Sequence, residues 1–139
     1  MLFLGLDGVM HHHNAKVAEF LWRMPLLERT VGQAQVDLVL LSCWDFASDL
    51  ERTKAVFPAG LRSLVVGRTT QESGALYKRF KEIQNWLRAN PVTDWRALDS
   101  DPLDYPDACS ELIRCSPAIG LSVAQVESLN LWLQNPKAG

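Results

Sequence analysis

Four short apolar runs punctuate the chain, each closed by a turn residue or a charge: Met1–Leu6, Val36–Leu41, Leu61–Val66 and Trp95–Leu98. Runs of this length, rich in leucine and valine, read as parallel strands buried on both faces. A weaker run, Ala118–Leu121 after Pro117, predicts a fifth strand at an edge. Helical spacing fills the intervals. Lys16–Val31 places Val17, Phe20, Leu21, Met24, Leu27 and Val31 three or four residues apart, with Pro25 either kinking the helix or opening a second one. Asp45–Phe57 carries Phe46, Leu50, Ala55 and Phe57 and stops at Pro58. Leu76, Phe80, Ile83 and Leu87 form the clearest stripe, ended by Arg88, Asn90 and Pro91. A last helix starts at Ser122, with Gln125 three residues on as in a capping box, and runs to about Trp132.

Strands alternating with helices predict right-handed βαβ units, and so a single doubly wound, Rossmann-like parallel sheet of about five strands. One α/β domain is expected over residues 1–139, and ligands of such sheets bind beyond the strand carboxyl ends, where the strand order switches. Val9 to Gln35 leaves room for a minimal flap and one helix, so no large cap is expected.

Composition narrows the function classes. With 47% hydrophobic and 22% charged residues the chain can bury a core and offset its ordering entropy. A net charge of −2 provides no global basic field, so nonspecific nucleic-acid binding is not expected. Cys43, Cys109 and Cys115 make neither an even disulfide set nor a CxxC pair, which argues against a stapled secreted scaffold and for a reducing, cytoplasmic setting. No stretch approaches the ~20 apolar residues that span a bilayer, so no membrane partner is expected.

The strand ends carry the chemistry. The first reads Leu4-Gly5-Leu6-Asp7-Gly8-Val9, the second Val39-Leu40-Leu41-Ser42-Cys43-Trp44, and the fourth Trp95-Arg96-Ala97-Leu98-Asp99-Ser100-Asp101. Lys78, Arg79 and Lys81 open the helix before that fourth strand. These elements, in this order, resemble the haloacid dehalogenase (HAD) phosphatase superfamily from Met1 to about Trp132, and in particular its compact domains, some associated with RNA repair proteins. The superfamily carries Asp-x-Asp-Gly-Val after its first strand, and here the match begins at the second aspartate. The resemblance makes Asp7 the general acid/base residue and Gly8 the turn glycine, while Gly5 stands at the nucleophile position without a side chain. It places Gly8, Ser42 and Cys43 around the phosphate, with the Ser42 hydroxyl donating to a phosphoryl oxygen. It asks for one basic residue from the helix, for which Lys81 is favoured and Lys78 is nearly equal. It implies Mg²⁺ held by Asp7 and Asp99, with Asp101 or Asp104 as second carboxylate because Ser100 breaks the usual acidic pair. Weak Mg²⁺ binding is expected, since Gly5 removes one anionic ligand.

Other constellations mean less. His11, His12 and His13 cannot all face one metal, because side-chain direction changes at each residue, and they read as a flap tip, or as one histidine reaching a phosphate. No histidine is placed to pair with Cys43, and the five tryptophans read as packing rather than as a base-stacking platform. Gly5-x-x-Gly8 lacks dinucleotide-binding spacing. The resemblance thus implies a Mg²⁺-dependent phosphohydrolase site, inactive or severely weakened as written, acting on a phosphorylated small molecule or a phosphorylated polymer end. A pseudophosphatase module that binds a phosphorylated ligand or protein partner without turnover is the alternative.

Overall fold

Side chains alternate across a strand, so a strand that is apolar at every position must be covered on both sides. The computed structural model, which describes residues 1–6, 8–10, 22–41, 50–72 and 76–135, shows that arrangement. Strands β1 (Leu2–Leu4), β2 (Leu38–Leu40), β3 (Val65–Arg68), β4 (Arg96–Asp99) and β5 (Leu112–Arg114) form one all-parallel sheet in the order β3-β2-β1-β4-β5. The helices are α1 (Met24–Val31), α2 (Leu50–Ala55), α3 (Ala59–Arg62), α4 (Lys78–Ala89) and α5 (Val123–Gln134).

Two apolar layers follow from the alternation. Leu2, Leu4, Leu38, Leu40, Leu98 and Ile113 pack with Met24, Leu27 and Val31 of α1 and Leu129 and Trp132 of α5. Phe3, Val39, Leu41 and Ala97 point the other way, to Ile83 of α4 and to Trp95 and Tyr105. The Phe3 and Trp95 rings meet edge to face at 5.7 Å, a favoured aromatic geometry.

The parallel, doubly wound sheet agrees with the sequence reading, but two strands are displaced. The run Leu61–Val66 divides: α3 takes Leu61 into the core, and β3 begins only at Val65 and extends to Arg68. Pro58, fixed near a helical φ, starts that turn, its carbonyl accepting from Leu61 and Arg62. The edge strand is Leu112–Arg114, before Pro117 rather than after it. Ala118 and Ile119 instead lie in a turn closed by a Ser116–Gly120 bridge, with Gly120 at φ +82°.

Among the helices, Pro25 opens α1 in its first turn, where a missing N–H costs little. Residues 16–21 and 45–49 of the expected helices lie outside the described residues. Leu76 does not join the α4 stripe. It precedes the helix and is 77% exposed, because Tyr77 takes left-handed backbone (φ +55°) at the helix start. The last helix matches its expectation: Gln125 Oε1 accepts from the Ser122 N–H (2.9 Å) and hydroxyl (2.6 Å), and its Nε2 donates to the Arg114 carbonyl of β5 (3.0 Å). Among the described residues no helix is long and apolar enough to cross a membrane.

The strand order places the switch point between β1 and β4. The chain leaves β1 toward β2 and β3, then returns to pair β4 on the opposite side of β1. The crevice that this topology offers to a ligand lies beyond Leu4 and Leu98, which pair across the two strands.

Candidate functional site at the β1–β4 switch point

Gly5 and Asp99 meet in this crevice. The Gly5 N–H donates to the Leu98 carbonyl at 2.9 Å, which sets the backbone of residue 5 beside the end of β4. A Cβ placed on Gly5 would lie 2.6 Å from Asp99 Oδ1, closer than real Cβ atoms approach, and 3.1 Å from its Cγ. The Asp99 carboxylate is 4% exposed and doubly held: Oδ1 accepts from the Ser100 N–H (2.8 Å) and Oδ2 from the Tyr105 hydroxyl (2.8 Å). Burial pushes the Asp99 carboxyl above its usual range, against the opposing pull of the Ser100 N–H, the Tyr105 hydroxyl and the Arg79 charge. Tyr105 is itself pushed up, by burial first and then by the Asp99 charge. Cys115, whose N–H donates to the Asp99 carbonyl, has its thiol pushed up to about 12, chiefly by burial.

The buried basic residue of α4 is Arg79. In α4 the positions i, i+3 and i+4 share a face, and Arg79, Glu82 and Ile83 are the buried ones. Lys81 stands two residues from Arg79, on another side of the helix, and is exposed, contrary to the sequence preference for it; Lys78 is half-buried. Arg79 is 6% exposed, its charge acts on both Asp99 and Asp104, and its Nη1 lies 3.2 Å from Glu82 Oε1. The Thr69 hydroxyl donates to that same oxygen at 2.9 Å, tying the end of β3 to α4. Arg79 was within reach of sequence reasoning through its spacing from Ile83. Tyr105 left no signal, since its partner is set by the turn after β4.

Three other site residues have described surroundings. Gly8 has φ +76°, and a Cβ there would collide with the Ser100 hydroxyl, so the turn after β1 lies against the residue that follows Asp99. The 3₁₀ turn Pro102–Asp104, which follows Asp101 and ends on Asp104, then passes α4. Asp101 is exposed, its Oδ1 accepting from the Leu103 N–H at 2.9 Å, and the Asp104 carboxyl is pushed up by partial burial and by Asp101. Asp7, Ser42, Cys43 and His11 to His13 lie outside the described residues.

Magnesium requires carboxylate oxygens free to point at the ion in near-octahedral geometry. Among the described residues such a set is not assembled. Both Asp99 oxygens accept hydrogen bonds inside the protein, Asp101 Oδ1 accepts from the Leu103 N–H, and no group of three or more metal-ligating side chains gathers among the described residues.

The family described as the HAD domain in Swiss Army Knife RNA repair proteins matches residues 1–126. The chain belongs to that family. Its HAD domain shows the sheet expected of a phosphohydrolase-type fold, and domains of this superfamily typically use Mg²⁺. Neither a curated protein nor a solved structure matches the chain.

Proposed function

We propose that this HAD domain recognises a phosphate ester at the carboxyl ends of β1 and β4, and that hydrolysis there is lost or severely slowed because position 5 supplies no nucleophile. One observation carries the reading: at the switch point, where the family's reaction needs a carboxylate on β1, the chain has Gly5, and Asp99 already occupies the adjoining space. The family's reaction forms a bond from that carboxylate to phosphorus and breaks the ester, with the departing alcohol taking its proton from the position of Asp7; water then cleaves the acyl phosphate. Without the carboxylate, only water remains as attacking group, with no side chain at residue 5 to orient it. Arg79, a buried guanidinium paired with Glu82, has a charge that reaches Asp99, and this supports recognition of an anion. The family description names RNA repair proteins, which favours a phosphorylated RNA end as substrate over a small metabolite.

Comparing the chain with Gly5→Asp in Mg²⁺-dependent hydrolysis of an aryl phosphate and of a phosphorylated oligonucleotide tests this reading. The substitution is expected to raise turnover by roughly two orders of magnitude or more, since an oriented nucleophile removes much of the entropic barrier. Asp7→Asn in that background should then reduce it by about 10²–10⁴-fold. A folded Gly5→Asp protein inert toward both substrates would favour the pseudophosphatase reading. Arg79 gives that second reading its support, and phosphate binding by the unaltered chain without Mg²⁺, lost in Arg79→Met, is its expected signature.

A further inference from the structure

We propose that residues 5 and 99 contend for a single volume: the Asp99 carboxylate fills the place of a side chain at position 5, and Tyr105 latches it there as an internal acceptor turned away from metal. Three independent features converge on this. An ideal Cβ at Gly5 falls 2.6 Å from Asp99 Oδ1, so no residue other than glycine is compatible with Asp99 where it stands. Both carboxylate oxygens have protein donors at 2.8 Å, one from the backbone of Ser100 and one from Tyr105. Tyr105 is only 2% exposed and sits in the apolar layer with Phe3, Leu41 and Ala97, so its hydroxyl reaches Asp99 from a fixed ring. Glycine at position 5 is therefore more than a missing nucleophile. It is the condition for the closed position of Asp99, and Tyr105 is the positioning residue that maintains it.

The inference rests on the proposed function only for the meaning of position 5; the coupling itself needs neither phosphate nor turnover to be read. Gly5→Ala is expected to lower the melting temperature by about 5 °C, because the new methyl group expels the carboxylate from its two hydrogen bonds. In an Asp99→Ala background the same change should be neutral or stabilising. The obstruction is then gone, the backbone of residue 5 is not left-handed, and alanine restricts the unfolded chain. Equal losses in both backgrounds would overturn the proposal.

A second measurement does not depend on the stability of Asp99→Ala. The carboxyl carbon resonance of Asp99, followed by NMR during a MgCl₂ titration, should stay unmoved in the unaltered chain. In Tyr105→Phe and in Gly5→Asp, each of which releases the carboxylate, it should shift saturably. A saturable shift in the unaltered chain, undisturbed by Tyr105→Phe, would show that Asp99 is a metal ligand as it stands and would end the proposal. Hydrolysis by Gly5→Asp without these couplings would leave the proposed function standing and remove only this inference.

Discussion

The Glu82 carboxylate, 1% exposed, accepts from the Thr69 hydroxyl and faces the Arg79 guanidinium, so two buried groups depend on its charge. Glu82→Ala leaves Arg79 without that counter-charge, and a loss of about 3–5 kcal/mol is expected in urea unfolding, as for other broken buried pairs. The effect at Asp99 runs through protons. A carboxyl whose folded pKa lies above its unfolded value of 3.8 stabilises the fold most when protonated. Its contribution therefore declines as pH rises from that unfolded value through the folded pKa, and Asp99→Asn has no such titration. Thermal melts should show the variant gaining on the parent as pH rises through that window, with the smallest difference in acid. At this scale the placement of Asp99 and Gly5 at adjoining strand ends was legible, because each directly ends an apolar strand. Arg79 was obscured by two neighbouring lysines, which only the helical phase set by Ile83 separates from it.

Gln125 is the joint between two elements, holding the start of α5 with one end of its amide and the Arg114 carbonyl with the other. Gln125→Ala removes all three hydrogen bonds, and a destabilisation of about 1–2 kcal/mol by chemical denaturation is expected. Phosphate binding should be unchanged, since the residue belongs to the α5 side of the edge strand. That helix was readable from its capping pair. The strands divide by burial: β1, β2 and β4 are covered on both faces and appear as apolar runs, whereas β5 has one buried residue, Ile113, with Glu111 and Arg114 close on either side, and so produced no run. Around β3 the run was real but mixed, because Leu61 reaches the core from a helix and Val65 from a strand.

Across the whole molecule the sheet is most protected at its middle, where β1 is paired on both sides and fully buried. Hydrogen exchange should be slowest at the amides of β1, β2 and β4 and faster in β3 and β5; equal protection across all five strands would contradict the two-layer core as the main source of stability. The topology could be foreseen from the alternation of runs and helical stripes, and with it the crevice. What the alternation does not convey is how two strand ends distant in sequence divide the space between them. That division bears on which substitutions can follow one another. In any chain that keeps Asp99 in this place, an aspartate introduced at position 5 meets its carboxylate first as a collision, before any other effect of the new side chain. Relaxed neighbours such as a substituted Tyr105 would have to come earlier. The order in which substitutions are tolerated is thus constrained by the packing of two residues.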